Sequence, residues 1–124
     1  MKKVSRIGAA VLLPVLAAMS INSGVADAGT TTYRYDGGYE FRDADVTTTI
    51  LFNAGHPKEN VLLWADNASG PLRYNVTMYQ GSSAVWSATN QSNRVYSVGT
   101  NISRVVMTRQ CPCGGRNGVQ PRAR

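Results

Sequence analysis

Residues 72–89 read LRYNVTMYQGSSAVWSAT, and this stretch decides the fold class. Leu72, Tyr74, Val76 and Met78 alternate with Arg73, Asn75 and Thr77, the two-residue period of a half-buried strand and not the longer period of a helix. Gly81-Ser82-Ser83 supplies a turn, and a three-residue loop there sets Met78 opposite Trp86 and Val76 opposite Ala88. Apolar partners then share one face of an antiparallel hairpin, and a slip of one residue would carry a strand's side chains to the wrong face. This hairpin is expected at the centre of the core.

The neighbouring segments have the same character. Thr31–Tyr35 and Tyr39–Arg42 flank Asp36-Gly37-Gly38. If those three residues form a hairpin loop, Tyr35 faces Tyr39 and Tyr33 faces Phe41, while Arg34 meets Glu40 on the other side. Gly38, third in the loop, then takes the left-handed conformation such loops require. The four aromatics are expected in the core, since an exposed patch of that size invites aggregation. Val46–Asn53, Asn60–Ala65, Arg94–Val98 and Asn101–Arg109 are further short runs between Gly, Ser, Asn and Pro turns. In Val61-Leu62-Leu63-Trp64 the alternation is lost, as in a strand covered on both faces.

β-Branched and aromatic residues outnumber Glu, Lys and Leu several-fold beyond residue 28, and no apolar stripe has helical spacing. These features predict an all-β domain, a small antiparallel β-sandwich of seven or eight short strands. Its likeness to immunoglobulin or fibronectin domains is one of architecture only, because the inter-sheet Cys, Trp, Cys framework of antibody domains is missing.

The chain has 124 residues, which is one domain at most. Lys2, Lys3 and Arg6, an apolar Ile7–Met19 interrupted by Gly8 and Pro14, and Ala26-Asp27-Ala28 together read as a secretory signal cut between Ala28 and Gly29. The apolar run is too short for a membrane span, which needs ~20 residues. We therefore expect a signal peptide over 1–28, a sandwich over 29–110 and a flexible basic tail over 111–124. The product would be secreted, or periplasmic where an outer membrane exists, with no span in the mature chain; the style of the leader is bacterial.

Formal charge is +6, from 13 Lys+Arg and 7 Asp+Glu. Between residues 29 and 108, Arg34, Arg42, Lys58, Arg73, Arg94 and Arg104 balance Asp36, Glu40, Asp43, Asp45, Glu59 and Asp66. The excess outside the leader belongs to Arg109, Arg116, Arg122 and Arg124, so the basic balance describes a tail and gives no reason to expect nucleic acid as a partner. These four arginines are the candidate cationic contacts. Gly114–Arg124, with three Gly, one Pro, three Arg and a single Val, lacks the apolar residues to bury itself.

Chemistry-bearing residues are few. His56 is the only histidine, set in the turn sequence Ala54-Gly55-His56-Pro57, and no nucleophile-elbow pattern surrounds any serine. Asp43 and Asp45 are a possible carboxylate pair, though a solvated turn explains them as well. Neither zinc nor calcium has a sufficient ligand set, and no metal or cofactor is expected. Cys111-Pro112-Cys113 admits a local disulfide, bonds between chains, or a thiolate pair; the first suits a monomer, the second a disulfide-linked oligomer. The Asn-x-Ser/Thr sequons at Asn67, Asn75, Asn90 and Asn101 are read as composition.

The functional expectation is a small secreted binding protein, not an enzyme. Its partner would be an unidentified protein or a cell-surface glycan, contacted through loops such as Asp66–Pro71 and Gln91–Asn93. The alternatives are a secreted hydrolase using His56 or the Asp43/Asp45 pair, and an envelope-directed toxin or surface structural subunit.

Overall fold

A computed structural model describes residues 29–122; the leader, Ala28 of the cleavage point and Arg124 lie outside the described residues. Within them the chain is all-β, with no helix. The strands are β1 (Thr30–Arg34), β2 (Phe41–Asp43), β3 (Thr47–Leu51), β4 (Glu59–Asn67) and β5 (Gly70–Pro71), then β6 (Tyr74–Gln80), β7 (Ser83–Gln91), β8 (Arg94–Val98), β9 (Arg104–Arg109) and β10 (Arg116–Arg122). Sheet A has the order β1-β3-β9-β6-β7, and sheet B the order β2-β10-β4-β5, with β8 also paired to β4. Every pairing is antiparallel except β1 with β3.

Alternation explains the packing between the sheets. Val61, Leu63 and Ala65 of β4 meet Tyr74, Val76 and Met78 of β6, Val105 and Met107 of β9, and Ile50 of β3 in one buried cluster. Tyr74 is fully enclosed: its hydroxyl donates to the Leu63 carbonyl at 2.9 Å and lies 3.2 Å from the Tyr96 hydroxyl. A buried phenol needs such partners, because an unpaired hydroxyl in a dry core costs ~1–3 kcal/mol.

The β6–β7 hairpin has the expected facing pairs, Met78 with Trp86 and Val76 with Ala88. A register shift between Met78 and Tyr79 leaves Val85 as a bulge, so Gln80 pairs with Ser83 and the turn is tighter than a three-residue loop. The hairpin is not the centre of the core. β6 is interior, but β7 is the edge of sheet A and Trp86 is 40% exposed.

The Asp36-Gly37-Gly38 segment differs more. β1 and β2 do not pair; β1 lies parallel to β3, with Tyr33 beside Ile50, and β2 belongs to sheet B. The turn is a crossover between layers, with positive φ at Gly37 and not at Gly38, and Asp36 Oδ1 accepts the Gly38 N–H at 2.8 Å. Tyr33 and Phe41 still stack at 4.1 Å between centroids, now across the two sheets. An inward aromatic phase on each strand satisfies either arrangement, which is why pattern alone favoured the hairpin. Arg34 reaches Asn53 and Glu40 pairs with Arg42, so the expected Arg34–Glu40 pair is absent from the described contacts. Tyr33 and Tyr35 are buried, and Tyr39 is exposed.

The largest correction concerns the C-terminus. Residues 116–122 are not a loose tail but the strand β10, inserted between β2 and β4 with a seven-residue register running from Arg116–Asp66 to Arg122–Asn60. Its composition is poor in apolar side chains, but a middle strand is held by backbone bonds to two neighbours. Val119 and Asn117 alone have to fill space, and both are fully buried.

Arg109 is likewise no surface contact. It continues the inward phase of Val105 and Met107, is 2% exposed, and donates to the carbonyls of Ala44 (2.9 Å), Asp45 (3.2 Å) and Cys113 (3.4 Å) and to Asn117 Oδ1 (3.1 Å). Asn117 in turn donates to the Val46 carbonyl and Thr48 Oγ1, both at 3.0 Å. This polar plug closes one end of the sandwich and ties the β2–β3 turn to β10.

Candidate functional site

The outer face of sheet B carries the site. Trp64 of β4 stands opposite Gly118 of β10, and Gly118 stands opposite Arg42 of β2, so the three form one cross-strand row. A Cβ at Gly118 would lie 1.9–2.5 Å from three indole atoms; the ring is laid flat over the bare glycine backbone. Gly118 has no positive φ, so the close approach of the indole, and not backbone conformation, is what requires glycine here. One face of the indole is against the sheet and the other is turned outward.

Two arginines stand beside the indole. The Arg42 and Arg116 guanidinium carbons lie 5.6 and 5.7 Å from the indole ring centre, within cation–π range. Each is half-exposed and held by one carboxylate, Arg42 by Glu40 at 2.6 Å and Arg116 Nε by Asp66 Oδ1 at 3.4 Å. The ion pairs contribute little stability at such exposure, but they orient the guanidiniums and leave the charge of the site balanced.

A cleft of about 420 Å³ opens here, lined by Arg42, Leu62, Trp64, Asp66, Asn67, Gly70, Pro71, Asn93 and Arg116. It shares Asp66, Asn67 and Arg116 with a neighbouring hollow of about 550 Å³ bounded by Ala68, Ser69, Gly114 and Gly115. Asn67 is the hinge between the two. Its Oδ1 accepts the Ser69 N–H at 2.8 Å, and its Nδ2 donates to the Gly114 carbonyl at 3.3 Å and contacts Cys113 Sγ at 3.8 Å. Cys111 and Cys113 are joined as a local disulfide, and Gly114 and Gly115, which follow it directly, line the hollow. The arrangement has the make-up of a small-ligand site, an aromatic floor with a few fixed polar groups around it.

The loops Asp66–Pro71 and Gln91–Asn93, expected to carry contacts, both contribute to this cleft. Of the four candidate arginines, Arg116 lies in it, Arg109 is in the core, Arg122 is exposed at the end of β10, and Arg124 is outside the described residues. Trp64, Leu62 and Arg42 join the site beyond the residues that the sequence pattern points to. The signal for them was the apolar run Val61–Trp64: alternate members Val61 and Leu63 are buried, while Leu62 and Trp64 are half-buried on the outer face.

His56 and the aspartates lie elsewhere. His56 packs on Phe52, with Nδ1 2.7 Å from the Pro57 carbonyl and Nε2 2.8 Å from the Ile102 carbonyl. Both ring nitrogens face backbone oxygens, which leaves neither directed at a nucleophile. Asp43 accepts the Asp45 N–H at 2.9 Å and Asp45 accepts the Thr31 hydroxyl at 2.5 Å, so the pair shapes the β2–β3 turn. Among the described residues no group of three or more His, Cys, Asp or Glu could hold a metal ion.

No family model matches the chain, and no curated protein does. Among solved structures, the chain is similar to the pre-peptidase C-terminal domain of a collagenase from Bacillus anthracis. The two share 9% identity over 76% of this chain and 95% of that one, with a TM-score of 0.48.

Proposed function

We propose that the chain, once its leader is removed, is an exported, non-enzymatic binding module that holds a neutral saccharide of a surface polysaccharide on the outer face of sheet B. The observation that carries this reading is the Trp64 indole pinned flat on Gly118, with its outward face ringed by side chains that donate and accept. The electron-rich face of an indole attracts the polarised C–H groups on one side of a pyranose. Asp66 offers an acceptor, Arg116 a donor, and Asn67 and Asn93 offer both, a mixture that matches sugar hydroxyls. Balanced charge favours a neutral sugar over an acidic one. The ring needs no rearrangement to receive a ligand, so little ordering entropy opposes binding.

A hydrolase would have to work with His56 or Asp43 and Asp45, which are engaged in backbone and turn contacts away from the cleft. An envelope-directed role built on a loose cationic arm has lost its arm to β10.

The test is co-sedimentation with a panel of insoluble glycans, comparing the wild type with Trp64→Ala and, as a control, with Tyr39→Ala, an exposed aromatic outside the cleft. Binding that weakens at least ~10-fold in Trp64→Ala only, equal to ~1.4 kcal/mol, supports the assignment. Retention of full affinity by Trp64→Ala refutes it, and capture of a protein partner through Trp64 would replace the glycan with a polypeptide target.

A further inference from the structure

Among the described residues the sandwich has one strand edge that is long, uncharged and open. β7 is a nine-residue edge strand whose one ladder partner among the described residues is β6. Alternate backbone N–H and C=O groups of such a strand point away from the sheet and can pair with another strand. The remaining edges are protected in the usual ways: β1 carries Arg34, β2 carries Arg42 and Asp43, β8 carries Arg94, and β5 is only two residues long. By contrast, residues 74–93, which include the whole of β7, contain no charged side chain. Val85 and Trp86, 49% and 40% exposed, lie on this same edge. Trp86 faces inward, in edge contact with Tyr96 of β8 at 6.0 Å, but the opposite sheet does not reach far enough to cover it. Side chains cap only the end of the strand, where Gln91 donates to the Thr89 carbonyl and Arg73 to the Asn90 carbonyl. The ladder to β6 is irregular at Val85 and again at Thr89–Asn90, where Asn90 has positive φ, so the open part runs from Ser83 to Ala88 with one bulge in it.

We propose that β7 pairs antiparallel with β7 of a second copy of this chain, in a register centred near Trp86. Charge selects the partner. Residues 29–124 carry ten Lys+Arg against six Asp+Glu, so like charge opposes contact between two copies, and the uncharged β7 edge is where that opposition is least. An acidic or basic partner finds no charge on it to hold, whereas a second copy brings a matching free, uncharged edge. The two-fold axis relating adjacent antiparallel strands is perpendicular to the sheet. The pairing therefore joins sheet A to sheet A and turns both copies of sheet B to the same side. On the reading of the Trp64 cleft given above, one dimer presents two clefts to a single polysaccharide surface, and its affinity there exceeds that of one cleft by the effective concentration of the second.

Sedimentation velocity tests the pairing without any ligand, on protein expressed from the full 124-residue sequence. Ser87→Lys places a charge on the exposed seam, and Thr32→Lys places one on the opposite edge of sheet A as a control; both positions are exposed, and far-UV circular dichroism verifies the fold. The wild type and Thr32→Lys are expected to dimerise at ~100 µM, a concentration suited to a weak interface, and Ser87→Lys to associate at least ~10-fold more weakly. A wild type that stays monomeric there, or a dimer that Ser87→Lys leaves unchanged, overturns the proposal, whatever the glycan measurements give.

Discussion

Replacing Gly118 by Ala isolates the contact on which the candidate site depends. The new Cβ would sit 1.9 Å from Trp64 Cε2 and 2.1 Å from Cζ2, against the ~3.5–4.0 Å of an ordinary carbon contact. The indole has to lift or swing by more than an ångström, since the other party is sheet backbone paired on both sides. Overpacking of this kind costs ~1–3 kcal/mol. Without the indole the sign reverses: Ala in a strand interior is favoured over Gly by ~0.5–1 kcal/mol, because Gly loses more freedom on folding. The assay is a double-mutant cycle of Gly118→Ala and Trp64→Ala, read by urea unfolding followed with far-UV circular dichroism. Gly118→Ala should destabilise the wild type by ~1–2 kcal/mol and leave Trp64→Ala unchanged or slightly more stable, a coupling of ~1–3 kcal/mol. Additivity within ~0.5 kcal/mol would mean the indole does not rest on Gly118, and the stacking floor would have to be abandoned.

Three further outcomes follow from other parts of the molecule. Removing residues 114–124 takes out the middle strand of sheet B together with buried Val119 and Asn117; the truncated chain should lose cooperative thermal unfolding, because the deficit exceeds the ~5–15 kcal/mol that holds a domain folded. Arg109→Met leaves the Ala44, Asp45 and Cys113 carbonyls and the Asn117 side chain short of a donor, and should cost ~3 kcal/mol in urea unfolding, whereas a true surface arginine would cost under ~0.5. Burial holds the Tyr74 hydroxyl above its ordinary pKa and pushes that of Tyr35 up to about 12. The native state then keeps protons that the unfolded chain releases above pH ~10, so this stability is complete below that pH and falls by up to ~1.4 kcal/mol per unit and group above it. Alkaline unfolding midpoints that do not decline between pH 10 and 12 would contradict the burial of these phenols.

How much of this was legible in the sequence depended on whether a local pattern had one solution or two. In β6 and β7 alternation selects the partners, and the pairs Met78–Trp86 and Val76–Ala88 are found as expected, but a two-residue turn and a bulge at Val85 stand in place of the three-residue loop. At Tyr33 and Phe41 the same kind of pattern fits both a hairpin and a crossover between layers, and only the long-range pairing of β1 with β3 decides between them. β10 was invisible because composition measures what a segment can bury by itself, and a strand enclosed by two partners needs little of its own. Arg109 is legible in principle, since it falls in phase with Val105 and Met107, but a charged side chain next to a basic, Gly-rich segment points to the surface by composition. The loops of the cleft were recognised as loops on a rigid scaffold. Its floor was not, because the bareness of Gly118 has meaning only once Trp64 is known to stand opposite.

The place of β10 also orders events in time. Phe41–Asp43 and the stretch from Asn60 to Asp66 are joined only through residues 116–122, so sheet B stays open in the middle until those residues arrive. Sheet A contains all of its strands by residue 109, yet its inner surface has no complete cover before then. A growing chain is thus kept from settling early: its first 115 residues can collapse but cannot close, and contacts of long sequence separation of this kind make folding slow and late.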